Sequence, residues 1–211
     1  MASARVENAK ESVWGGGVLP YAIGSKKLGM WLFIVSDSLT FAGLLVGYSY
    51  LRVASPHWPM PFHLWPSIAM ASLMTFFLLS SSLTMVLAVS ASARGNRSQA
   101  ARFIWLTILG GWAFILLHAN EWRGLIHEGL KLTENPWAPD VPLFGAAFFT
   151  LTGLHMFHVF SGTVYLAVIA LAYARGRLTH EDVEVSGLYW HFVDLVWMFI
   201  FPLVYLLSVK L

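Results

Sequence analysis

Of 211 residues, 57% are hydrophobic and only 11% charged, and the mean hydropathy is +0.65, a balance that excludes an ordinary water-soluble domain. The 13 basic and 11 acidic residues leave a net charge of +2, too small to mark a nucleic-acid partner, and they are too few to coat a soluble core of this length. The absence of cysteine removes disulfides, thiolate metal sites and a cysteine nucleophile.

Residues 1–27 read as a short exposed arm: Arg5, Glu7, Lys10 and Glu11 precede Gly15–Gly17, and nothing there has the apolar stretch of a signal peptide. The first apolar run, Leu28–Leu51, is 24 residues long, about 36 Å as a helix and enough to cross a bilayer with some tilt. Asp37 lies inside it, and Gly43-x-x-x-Gly47 offers another helix a close approach. Pro56, Pro59 and Pro61 keep the following loop non-helical. The second run, Leu64–Ser92, carries Ser80, Ser81, Ser82 and Thr84, which can hydrogen-bond within the helix or across to a neighbour. Gly95-Asn96-Arg97 is a turn, and the third run, Phe103–Asn120, carries His118 and ends beside Glu121. After a second turn at Asn135-Pro136, the fourth run, Val141–Ala174, holds His155 and His158; its length requires it to tilt or project. The fifth, Val185–Val209, holds His191 and Asp194. Met74, Phe76, Phe77, Trp197 and Met198 read as lipid-facing or packed bulk. The predicted fold is all-α: a single integral membrane bundle of five transmembrane helices over residues 28–211.

Alternate assignment of Lys and Arg places nine on one side (Arg5, Lys10, Lys26, Lys27, Arg94, Arg97, Arg102, Arg175, Arg177) and four on the other. The positive-inside rule then predicts a cytoplasmic N-terminus and a periplasmic C-terminus. Trp58, Trp65, Trp122 and Trp137 fall at or beside the outer ends, as an aromatic belt does.

A charge at the bilayer centre costs roughly 2.5–3.5 kcal/mol on insertion scales, so Asp37, Glu121 and Asp194 each need a partner, a proton or a reason. Asp37 and Asp194 read equally as packed, hydrogen-bonded acids or as proton-linked groups, and Glu121 as a rim residue paired with Arg123 or water. His158 is the expected partner of Asp37, with His155 as the alternative, and His191 can hydrogen-bond Asp194 three residues on. A haem between helices needs two facing histidines. His155 and His158 share one face of one helix, so satisfied, helix-bridging histidines are the preferred reading and a stand-alone b-type cytochrome the rival. A small proton-coupled transporter is the other rival, motivated by Asp37 and Asp194 but lacking an inverted repeat. Glu7, Glu11, His180, Glu181 and Asp182 fall on the inferred cytoplasmic side as solvated loop charges or proton-collecting groups.

Read in order, five segments resemble subunit III of the haem-copper oxidases, in its five-helix short form. They are Gly29-Met-Trp-Leu-Phe-Ile-Val-Ser-Asp37, Leu78-Leu-Ser-Ser-Ser-Leu-Thr84 and Leu116-Leu-His-Ala-Asn-Glu-Trp122, then Phe144–Thr163 with its paired histidines, and Tyr189-Trp-His-Phe-Val-Asp-Leu-Val-Trp197 after Glu184. The resemblance covers residues 28 to the C-terminus and maps the family's carbodiimide-reactive carboxylate to Asp37. It maps the helix-three glutamate to Glu121, the paired histidines to His155 and His158, and the last-helix set to Glu184, His191 and Asp194.

The resemblance implies a subunit of a bacterial cytochrome c oxidase-type complex in the cytoplasmic (inner) membrane, working in aerobic respiration with proton translocation. It implies no catalytic centre, metal or cofactor on this chain, with haem and copper in partner subunits I and II. Bound phospholipid is implied, membrane lipids are partners, and a respiratory supercomplex is a further one. Aspartate at position 37, where glutamate is usual in cytochrome c oxidases and aspartate also occurs in quinol oxidases, leaves a quinol oxidase as an alternative, and a nitric-oxide-reductase-associated relative is a further one within the family.

Overall fold

A computed structural model describes residues 24–210; most of the N-terminal arm, with Glu7 and Glu11, lies outside the described residues. Five long helices follow one another: α1 (Ser25–Ala54), α2 (Ala69–Ala93), α3 (Arg97–His127), α4 (Leu143–Ala174) and α5 (His180–Ile200). With the turns that lead into α2 and out of α5, each apolar stretch spans 29 to 32 residues, about 44–48 Å at 1.5 Å per residue, so projection beyond the hydrocarbon is common to all five.

The helix ends follow local chemistry. Gly95 and Gly176 both adopt φ 76°, the left-handed conformation that stops α2 and α4 and that a side chain would resist. Asn96 accepts the Gln99 N–H at 3.1 Å and opens α3 six residues earlier than the apolar run suggested. Thr179 and Asp182 form a reciprocal capping box that starts α5 five residues earlier than expected. Pro202 falls just past the end of α5, where the chain passes through a wide turn (Phe201–Tyr205) and a tight one (Leu206–Ser208). Two short strands, β1 (Phe62–His63) and β2 (Val209–Lys210), pair in parallel and tie the first loop to the chain end.

The centre of the bundle is α5, whose Trp190 and Trp197 are buried and donate their indole N–H groups to Ser81 (3.0 Å) and Thr75 (2.9 Å) on α2. Small residues make the space: a Cβ on Gly111 would lie 2.7 Å from the Trp190 ring, and one on Gly110 2.7 Å from Ser81. By contrast α1 leans on α4 and α5 through a single stripe, Ile34, Phe41 and Tyr48, while Leu32, Leu39, Val46 and Val53 are exposed. Both stripes repeat every seven residues and are offset by two, about 200° around the helix, so one faces the bundle and the other faces away.

Candidate functional site

Asp37 sits on the side of α1 that meets α4. Its Oδ2 lies 3.3 Å from His158 Nε2, with side-chain exposures of 14% and 12%. The distance is that of an ion pair, yet Oδ2 lacks a hydrogen bond of good geometry. The other ring nitrogen is fixed: His158 Nδ1 donates to the Leu154 carbonyl at 2.8 Å. Nε2 then faces the carboxyl oxygen across 3.3 Å, so a hydrogen bond between them requires a proton on one of the two atoms. Phe41 packs edge-on against His158, with 5.2 Å between centroids, and walls the pair from the core.

His155, one turn away on α4, instead donates Nε2–H to the Val193 carbonyl of α5 at 3.0 Å. His191 bridges α5 to α2 through Ser82 (2.6 Å) rather than bonding Asp194 as the sequence suggested, because Ser82 reaches the gap first and faces both side chains. Asp194 Oδ1 is buried without a hydrogen bond. Glu121 also departs from expectation. It is largely buried and accepts the Tyr205 hydroxyl at 2.7 Å, while Arg123 is exposed; the residues after Pro202 turn inward and bring Tyr205 over the end of α3. His118 bridges nothing: it is fully buried, stacks on Phe114, and has neither ring nitrogen hydrogen-bonded.

At the opposite end, Lys26 meets Asp182 at 2.5 Å and Lys27 meets Glu184 at 2.6 Å, tying the start of α1 to the start of α5. His180 bonds Ser92 at 2.6 Å. Asp182 and His180 are therefore held in structure, and neither is a freely solvated loop group. The lysine pairs and Tyr205 were not anticipated, and Ser82 was expected to bond across to a neighbour but not to His191. The pairing was foreshadowed by Lys26-Lys27 before one apolar run and Glu181-Asp182-x-Glu184 before another, opposite charges entering the same end.

Among the described residues no group of three or more His, Asp or Glu is arranged to hold a metal ion. The class so defined is a multi-pass, predominantly helical membrane protein in which several internal acids and histidines bridge helices. The sequence profile described as Cytochrome c oxidase subunit III matches residues 9–209. Similar proteins include Cytochrome c oxidase subunit 3 of Alkalihalophilus pseudofirmus, 32% identical over 88% of each chain. Cytochrome bo(3) ubiquinol oxidase subunit 3 of Pseudomonas aeruginosa is 32% identical over 88% of this chain and 86% of its own. The human Cytochrome c oxidase subunit 3 is 30% identical over 93% of this chain and 75% of its own. The chain belongs to the cytochrome c oxidase subunit III family, the third subunit of haem-copper oxidases.

Proposed function

We propose that this chain is the non-redox third subunit of a bacterial terminal oxidase of the inner membrane. Its N-terminus faces the cytoplasm and its C-terminus the periplasm, and it packs beside subunits I and II, which carry haem and copper. The complex reduces O2 with electrons from cytochrome c and translocates protons, and this chain moves no electron. Its role is to cover the flank of the catalytic subunit, hold lipid and support proton uptake. A quinol as donor is the second reading, favoured by relatives named for both kinds of oxidase at equal identity.

The observation that carries the proton-linked part is the Asp37–His158 contact, a carboxyl and an imidazole joined across two helices far from either helix end. Lipid holding rests on a groove of about 470 Å³ between α1 and α4, floored by Gly43, Gly47, Ala146 and Ala147. Near it Arg52, with a buried Nη1 that has no hydrogen-bond partner, lies 5.9 Å from the centre of the Trp58 ring. Small floor residues admit an acyl chain, and a guanidinium suits a phosphate. The test is Asp37→Asn in the purified, fully assembled oxidase. Initial oxygen consumption is expected to stay close to wild type, with faster inactivation over many turnovers or weaker retention of this subunit. Immediate and complete loss with every subunit present would instead make Asp37 an obligate proton carrier.

A further inference from the structure

Eight buried side-chain polar atoms among the described residues have no hydrogen-bond partner within the chain, and five of them belong to neighbouring residues of α3 and α4. They are both ring nitrogens of His118, Glu121 Oε1, Trp122 Nε1 and His155 Nδ1. The rings lie close together: His118 is 5.7 Å from Trp122 by centroid, and Phe114 touches both His118 and His155. His118 Nδ1 is 3.8 Å from Glu121 Oε2, beyond direct hydrogen bonding. Among the described residues no lysine or arginine forms an ion pair with Glu121. Each unpaired buried group costs about 1–3 kcal/mol, too much to leave five together. The set mixes an obligate donor, the indole N–H, with acceptors on carboxyl and imidazole, so whatever satisfies it must both donate and accept. Water does both, and a site with several polar partners is where buried water is held.

An entry exists beside it. A pocket of about 180 Å³ under the first loop is lined by Ser67, Asn120, Glu121, Gly124 and Glu128, room for a few waters at about 30 Å³ each. We propose that His118 and Glu121, with Tyr205, form a hydrated proton-exchange site inside the bundle, in equilibrium through this pocket with the aqueous phase at the α3 C-terminal end. A hydronium arriving through the pocket gives its proton to the carboxyl of Glu121, whose side chain lines it, and leaves as neutral water; the reverse step releases it, and no electron moves. The titratable groups facing the site are His118 and Glu128 from α3, His155 from α4, Tyr205 from the C-terminal turn and, behind Tyr205, Tyr48 from α1. The side leading into α2 contributes Phe62, Pro66, Ser67 and Met70, none of them titratable. This site is separate from Asp37 and stands whether or not Asp37 is proton-linked.

Two measurements on the assembled complex in mild detergent test it. The first is the infrared carboxyl signal that titrates with bulk pH, taken as wild type minus Glu121→Gln. The expected difference contains a band that shifts on transfer to D2O within the mixing time, and that moves in Tyr205→Phe, where the carboxyl remains but loses its phenol donor. The second uses the cysteine-free background. Gly124→Cys, where an added Cβ meets nothing within 4 Å, should react with a hydrophilic thiol reagent at least about tenfold faster than Ser186→Cys in the buried core. A pH-independent or non-exchanging carboxyl signal overturns the proposal, as does equal protection of the two cysteines.

Discussion

Asp182 joins Lys26 at 2.5 Å while its other oxygen accepts the Thr179 N–H and hydroxyl, both at 2.9 Å, so one carboxylate both caps α5 and anchors α1. The two jobs differ in weight. The cap satisfies an otherwise orphaned helix donor and is worth about 1 kcal/mol, whereas the lysine is largely exposed and its pairing is screened by solvent. Asp182→Ala is therefore expected to lower the thermal retention of this subunit in the complex clearly, and Lys26→Ala hardly at all. Equal losses would show that the bridge to α1, not the cap, is the stronger contribution.

Glycines divide into those that a neighbour requires and those that face open space. A Cβ on Gly145 would run into the backbone carbonyl oxygen of Lys131, which no side-chain rotation relieves, whereas Gly43 and Gly47 have nothing within 4 Å. Gly145→Ala is expected to destabilise by about 1–3 kcal/mol, read as reduced accumulation, and Gly43→Ala to fold normally. Gly43→Leu should also fold but fill the groove on α1, so phospholipid retained by the purified complex falls. Unchanged lipid content would remove the groove as a holding site.

Orientation is tested separately, since the nine-to-four distribution of Lys and Arg carries it. Ser98 and Asp140 are both exposed, at opposite ends of the bundle. In intact cells a cysteine at Ser98 should resist an impermeant thiol reagent and one at Asp140 should label. The reverse pattern would invert the topology.

The five spans were legible because a bilayer imposes length and apolarity on each helix independently, a signal that needs no knowledge of neighbours. The Asp37–His158 approach was legible for a similar reason, as two polar groups at comparable depth in lipid have few alternatives to each other. The links missed are those set by how the helices rotate and how the chain ends. Tyr205 reaches Glu121 only because the wide turn after Ile200 redirects the chain, and Ser82 meets His191 only because α2 presents that face to α5. Helix boundaries were missed by several residues at α3 and α5, where caps made of Asn96, Thr179 and Asp182 extend the helices beyond their apolar stretches.

The arrangement of Ser82, His191 and Asp194 reverses the order of cost that sequence spacing implies. Were His191 bonded to Asp194, removing the carboxyl would strand the imidazole. Its Nδ1 is instead engaged by Ser82 at 2.6 Å, and Asp194 Oδ1 already lacks a hydrogen bond. Replacing Asp194 by Asn keeps the shape and leaves the His191–Ser82 bond intact. Ser82→Ala deletes the partner of the half-buried imidazole and the hydroxyl that faces Asp194, a loss of about 1–3 kcal/mol. Ser82→Ala is thus expected to reduce accumulation of the assembled complex more than Asp194→Asn. Ser82→Thr, which restores the hydroxyl, should recover most of it. The measurement is the amount of this subunit that co-purifies with its complex after a fixed heat step. A larger loss for Asp194→Asn than for Ser82→Ala would place the structural weight on the carboxylate and return His191 to it as a partner.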